Sequence, residues 1–121
     1  MSGRVLVTGG AGFIGSHIVD QLVASGREVR VIDNFHPAAH SKRPGYLNPD
    51  VEYVEADVSD PSVYETALEG VDAICHQAAM VGLGVDFGDA GDYVKDNCLG
   101  TARLLTALSD RNYRGPLVLA S

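Results

Sequence analysis

The stretch Val5-Leu6-Val7-Thr8-Gly9-Gly10-Ala11-Gly12-Phe13-Ile14-Gly15-Ser16 restricts this chain more than any other. Apolar and β-branched residues run into four glycines, and the glycines run into a segment with helical periodicity. The stretch reads as strand, tight turn and helix. Gly10, Gly12 and Gly15 spell G-x-G-x-x-G, while Gly9, Gly12 and Gly15 spell G-x-x-G-x-x-G. In either register the first glycine permits a sharp turn. The second lets a backbone approach a pyrophosphate with no Cβ in the way, and Gly15 lets the helix pack close to the strand. Free N–H groups at the helix N-terminus then face the anion.

With 14 glycines in 121 residues some such spacing arises by chance, so context must decide. A nucleotide loop requires a strand before it, a helix after it and an acid about 20 residues further on. Ile14, Ile18 and Leu22 recur at helical spacing, Val19 and Val23 widen the stripe, and Ser25-Gly26 supplies a stop. A second strand, residues 28–32, ends in Asp33. All three conditions are met. A carboxylate at that place can accept both adenosine ribose hydroxyls. A 2′-phosphate there would set like charges about 4 Å apart, costing about 1 kcal/mol in water and about 4 at an effective dielectric near 20. NAD is therefore expected over NADP, unless Lys42 and Arg43 fold back to offset the charge.

A chain of 121 residues has room for one domain, spanning residues 1–121, and not for a separate substrate domain. The formal net charge of -7, with no basic stripe to compensate it, argues against nucleic acid or an anionic membrane surface as a partner. No apolar run approaches the roughly 18 residues of a membrane span, and the N-terminus enters a strand without a charged region and cleavage site. A cytoplasmic protein is expected. Cys75 and Cys98 belong to no C-x-x-C and are expected as buried free thiols. His36 and His40 share a proline-containing loop with no third ligand, so a solvated loop is expected there and no metal.

Beyond Asp33, residues 34–50 read as a loop, and residues 51–56 alternate as a strand that ends at Asp57-Val58. Asp60 as N-cap and Pro61 at the first helical position start a short helix carrying Val63, Tyr64, Ala67 and Leu68, which Gly70 stops. A fourth strand, residues 71–75, delivers His76-Gln77-Ala78-Ala79 at its carboxyl end. Residues 80–91 read as a substrate-side loop, residues 92–112 as a longer helix, and residues 117–120 as a fifth strand ending at Ser121. Strands alternating with helices at this rhythm imply an α/β fold of the Rossmann type: a doubly wound parallel sheet in the order 3-2-1-4-5 with helices on both faces. The glycine loop, Asp33, Asp57, His76–Ala79 and Ser121 then line one crevice. The fifth strand would be an open hydrophobic edge, expected to make the chain aggregate or form a homodimer.

Asn97, Thr101, Leu104 and Leu108 fall on one helical face. A carboxamide on that apolar stripe must find hydrogen-bond partners or cost about 1 to 3 kcal/mol, so Asn97 is either a structural tie or part of a site. His76 follows a buried strand with no nucleophile or paired carboxylate beside it, so general-base work is not expected of it. Ala78 and Ala79 are small enough for a cofactor to lie close to the backbone.

Thr8 to Ser16, Asp33-Asn34, Asp57-Val58, His76-Gln77-Ala78-Ala79 and Tyr93-x-x-x-Asn97-x-x-Gly100-Thr101 together resemble the extended short-chain dehydrogenase/reductase family. The resemblance covers the whole chain and is nearest to NAD-dependent nucleotide-sugar epimerases and dehydratases. It implies that the amides of Phe13 and Ile14 hold the pyrophosphate in the loop of Gly9, Gly12 and Gly15. It further implies that Asp33 and Asn34 meet the adenosine ribose, that Asp57 and Val58 flank the adenine, that Ala78 and Ala79 line the cofactor path, and that Asn97 supports the active site. The implied activity is 4-epimerisation of a UDP- or dTDP-hexose by transient oxidation to a 4-keto sugar. Two departures stand out. Asp86 replaces a serine and Ala90 a proline common in such epimerases. In the family the fifth strand leads to a catalytic serine or threonine and then Tyr-x-x-x-Lys, and none of these falls within residues 1–121. Ser121 resembles the serine before the catalytic one. The expectation is an NAD-binding portion cut ahead of its catalytic residues and inactive alone; the alternative is a non-catalytic NAD-binding sensor or regulatory module.

Overall fold

In the computed structural model, which describes residues 3–35, 45–78 and 98–120, β1 (Arg4–Thr8) is the central strand of a five-stranded sheet. Its neighbours are β2 (Glu28–Asp33) and β4 (Val71–His76), with β3 (Glu52–Glu55) beyond β2 and β5 (Leu117–Leu119) beyond β4. Every pair is parallel and the order is 3-2-1-4-5, as expected from the alternation of strands and helices.

Side chains alternate along a strand, so each strand feeds two cores. On one face Val5, Val7, Val29 and Val31 pack with Val19 of α1 (Phe13–Ala24). On the other, Leu6, Ile32 and Ile74 meet Tyr64 and Ala67 of α2 (Tyr64–Ala67) and Leu104 and Leu108 of α3 (Gly100–Asp110). Helices thus cover both faces. The expected α1 stripe is rotated. Gly15, Ser16 and Val19 face inward, Leu22 and Val23 pack at the rim of that core, and Ile14 is 63% exposed. A helix approaches a sheet most closely where its residues are small, and here that line runs through Gly15 and Ser16.

Asp60 caps as expected, its Oδ1 accepting the Ser62 N–H at 3.0 Å, but the segment opens as a 3-10 turn (Pro61–Val63) before α2. A four-residue helix leaves its carbonyls without helical partners. Arg30, 6% exposed on β2, meets the last two and one just beyond the helix: its Nη1 donates to the carbonyls of Thr66 (3.1 Å), Ala67 (2.6 Å) and Glu69 (3.1 Å). Its Nε lies 3.2 Å from Glu52.

Both cysteines are free, but Cys98 is exposed and Cys75 only half-buried, which corrects the expectation of two buried thiols. Cys98 lies off the line of Gly100, Leu104 and Leu108 that α3 turns inward. The expected helix start at Asp92, the 80–91 loop with Asp86 and Ala90, His36, His40, Lys42, Arg43 and Ser121 lie outside the described residues. Among the described residues β5 pairs only with β4, and its Val118 and Leu119 are exposed. No described helix is long and apolar enough to cross a membrane, and no described cluster of three His, Cys, Asp or Glu could hold a metal.

Candidate functional site

The carboxyl ends of β1, β2, β3 and β4 carry the candidate site. Chain leaving β1 turns at Gly9, whose φ of +71° lies in the left-handed region that favours glycine. Each of three loop glycines is required by the protein's own packing. A Cβ on Gly9 would lie 2.8 Å from the Ala78 backbone, one on Gly10 would lie 2.6 Å from Val31, and one on Gly15 would strike the Gly9 carbonyl oxygen. Gly15 therefore closes the helix onto the turn at the end of β1.

Gly12 is different. Its φ of -74° suits any residue, and a Cβ there would find only the Gly9 oxygen, at an ordinary 3.4 Å. Among the described residues nothing requires glycine at this place. Gly12 is the N-cap of α1, with no side-chain cap and no acidic residue in the first turn. The first-turn N–H groups of Phe13, Ile14 and Gly15 have no helical acceptor, and the Phe13 and Ile14 side chains point out to solvent. An uncapped helix start with a space left by an absent Cβ fits an anionic ligand such as a pyrophosphate.

Asp33 ends β2, nearly buried at 9% exposed. Its Oδ2 accepts the Ala11 N–H at 3.0 Å and its Oδ1 accepts the Phe35 N–H at 2.8 Å. Each carboxylate oxygen has two acceptor sites, so the group retains capacity for hydroxyls. Asn34 beside it is exposed, and Phe35 turns the chain with a φ of +52°. Tyr46, which no motif or period singled out, donates its hydroxyl to the Ala11 carbonyl at 2.6 Å. Burial and the nearby Asp33 charge push its phenol up, so it is a donor at neutral pH.

At the end of β3, Asp57 Oδ1 accepts the Ser59 N–H at 2.9 Å and the Ser59 hydroxyl at 2.7 Å. Val58 turns its side chain into the core, and its carbonyl accepts the Tyr64 hydroxyl at 2.7 Å. Of this pair, Asp57 is the one standing at the crevice.

At the end of β4, His76 is buried, with Nδ1 2.5 Å from the Thr8 hydroxyl and Nε2 2.9 Å from the Thr101 hydroxyl. The Thr8 hydroxyl also accepts the N–H groups of Gln77 and Ala78, each at 3.1 Å. With two N–H groups directed at that oxygen, its own proton goes to His76 Nδ1. The ring is neutral, protonated on Nε2 and donating to Thr101. Burial pushes His76 below its ordinary value of 6.5. The unfolded chain then takes up the proton first. Its stabilising contribution is complete above pH 6.5 and is lost as pH falls from there through the folded-state value. Urea unfolding between pH 7.5 and 5 is expected to show stability declining with acid, with a shallower decline in His76→Gln. Parallel profiles would mean that the histidine is not held neutral.

These bonds join Thr8, His76 and Ala78, with Gly9 packed against the Ala78 backbone, and tie Asp33 to Ala11 of the loop. Ala79 and Asn97 lie outside the described residues. Sequence reasoning missed Tyr46 and named Thr8 only as part of the loop motif, without a role. Thr8 meets His76 through the register of the folded sheet, and no local signal marks Tyr46.

A family model described as the NAD dependent epimerase/dehydratase family matches residues 5–121. The dTDP-L-rhamnose 4-epimerase of Burkholderia thailandensis is 38% identical over 109 residues, covering 87% of this chain and 30% of that protein. Among solved structures, UDP-glucose 4-epimerase of Thermus thermophilus in complex with NAD superposes with a TM-score of 0.79 at 36% identity, covering 93% of this chain and 36% of that one. UDP-glucose 4-epimerase of Thermotoga maritima with UDP-glucose superposes with a TM-score of 0.85 at 29% identity, covering 98% and 37%. The chain spans about a third of the length of these relatives.

Proposed function

The chain belongs to the NAD-dependent epimerase/dehydratase family, whose cofactor is NAD, and from that premise we propose that its strand ends hold NAD for a nucleotide-sugar 4-epimerase acting on a UDP- or dTDP-hexose. The observation that carries the nucleotide assignment is Gly12, a glycine that packing among the described residues does not need, at the uncapped start of α1. In this reading the Phe13 and Ile14 amides bind the pyrophosphate, shaped by Gly9, Gly12 and Gly15. Asp33 and Asn34 accept and donate at the adenosine ribose, and Asp57 with the backbone of Val58 borders the adenine. Ala78 and Ala79 keep the way open toward the reacting end, where Asn97 supports the site.

NAD held by these residues would supply the redox chemistry of the reaction, taking hydride from a sugar carbinol carbon and returning it to the opposite face of the resulting 4-keto sugar. The residues of this chain do the holding. Thr8 and His76 fix the turn beneath Ala78, and the neutral ring keeps an uncompensated charge out of the core. The proton-transfer groups are proposed to come from outside residues 1–121, as the family pattern of serine or threonine with Tyr-x-x-x-Lys implies. Substrate choice rests on the names of the similar proteins, which act on dTDP-L-rhamnose and UDP-glucose.

The test is incubation of the full-length protein with NAD and UDP-glucose, UDP-galactose or dTDP-linked hexoses, followed by chromatography for the epimer. Epimer formation is expected with at least one of them. Release of carbon dioxide from a UDP-uronic acid, with no epimer from any hexose, would replace the epimerase reading with a decarboxylase.

A further inference from the structure

We propose that Tyr46 is a positioning residue for the cofactor loop, acting through Ala11; the inference rests on the reading above, in which that loop receives the pyrophosphate. Ala11 is the one non-glycine residue among positions 9–12 and is completely buried. Glycine backbone is the most costly to order. Among the described residues, the side-chain hydrogen bonds to the backbone of positions 9–12 both fall on Ala11.

Both peptide planes that flank Ala11 are held. The plane before it is fixed by its own N–H, which donates to Asp33 Oδ2 at 3.0 Å. The plane after it is fixed at both ends: the Ala11 carbonyl accepts the Tyr46 hydroxyl at 2.6 Å, and the Gly12 N–H donates to the Gly9 carbonyl at 3.1 Å. Asp33 reaches across 22 residues of sequence and Tyr46 across 35. With the carbonyl tied to a hydroxyl, the plane cannot rotate to turn an oxygen toward an incoming anion. The helix start that follows is then set before the ligand arrives, which removes ordering cost from the binding step. Tyr46 is 55% exposed, so its ring contributes little to either core and the hydroxyl is its principal tie to the fold.

Tyr46→Phe keeps the ring and removes that hydroxyl. In the full-length protein its NAD dissociation constant, measured by calorimetry, is expected to rise about three- to tenfold, the range of one lost hydrogen bond. In the ligand-free protein, amide hydrogen exchange at residues 11–15 is expected to quicken while the amides of β1 and β4 keep their protection. Weaker binding with unchanged loop exchange would overturn the proposal, because the hydroxyl would then be acting on the nucleotide itself. Unchanged affinity would overturn it too, as would faster exchange throughout the sheet, which would make Tyr46 a general stabiliser. Gly12→Val run in parallel separates the two readings. If it leaves NAD affinity intact, the nucleotide assignment of the loop falls; if it abolishes binding while Tyr46→Phe changes nothing, only the role of Tyr46 falls.

Discussion

Replacing Gly12 by valine is expected to abolish NAD binding while leaving the fold in place. The backbone at Gly12 has a conformation open to any residue, and among the described residues its Cβ would meet nothing closer than the Gly9 oxygen at 3.4 Å. The protein itself therefore has little to lose beyond a weaker helix cap. The ligand loses far more. A branched side chain at the N-cap stands between an anion and the amides of Phe13 and Ile14. Losing two hydrogen bonds to a charged group, at about 1.5 to 3 kcal/mol each, weakens binding by about two to four orders of magnitude. Circular dichroism and an NAD titration on one sample separate the two effects. Retained affinity in a folded variant would remove the loop from the phosphate site.

Asp33→Ala is expected to lower NAD affinity and to narrow its advantage over NADP, but by less than charge alone suggests. Removing the carboxylate relieves repulsion of a 2′-phosphate. It also strips the acceptors from the N–H groups of Ala11 and Phe35, each a loss of about 1 to 3 kcal/mol when the donor is buried. The variant should unfold at lower denaturant and bind both cofactors through a loosened loop. Asp33→Asn, which keeps one acceptor oxygen without the charge, should recover part of the stability while still narrowing the preference. Titration of each variant with NAD and NADP, alongside urea unfolding, resolves the two roles. Equal affinity of the unmodified protein for both cofactors would defeat the charge argument.

The architecture was legible because its signals are local and repeated. Valines alternating at 5, 7, 29 and 31 mark strands with two covered faces, and Asp60-Pro61 announces a helix start. The strand ends followed, since a parallel sheet brings Asp33, Asp57 and His76 to one edge. What stayed hidden depends on pairs far apart in the chain. Arg30 sits within a strand where periodicity offers no reason for a charge, and the carbonyls at the end of α2 together with Glu52 on β3 explain it. Tyr46 lies in a segment rich in proline and glycine, and its bond to Ala11 spans 35 residues. The close approach at Gly15 is as expected from the glycine spacing, but the apolar stripe drawn through Ile14, Ile18 and Leu22 is not the face that α1 buries. Ile14 is the larger residue, yet Gly15 is the one that touches the turn.

The central place of β1 carries a consequence for how the chain comes to be made. One edge of β1 pairs with β2 soon after synthesis, but the other waits for β4, and the partners Thr8 and His76 are 68 residues apart. At about 5 to 20 residues per second, translation covers that gap in roughly 3 to 14 s. Throughout that interval a strand containing Val5, Leu6 and Val7 has an unpaired row of N–H and C=O groups, a template for pairing with any neighbouring chain. Contacts this distant in sequence also form late and slowly. The exposure of the nascent β1–α1–β2 unit ends only when the fourth strand emerges and takes the open edge.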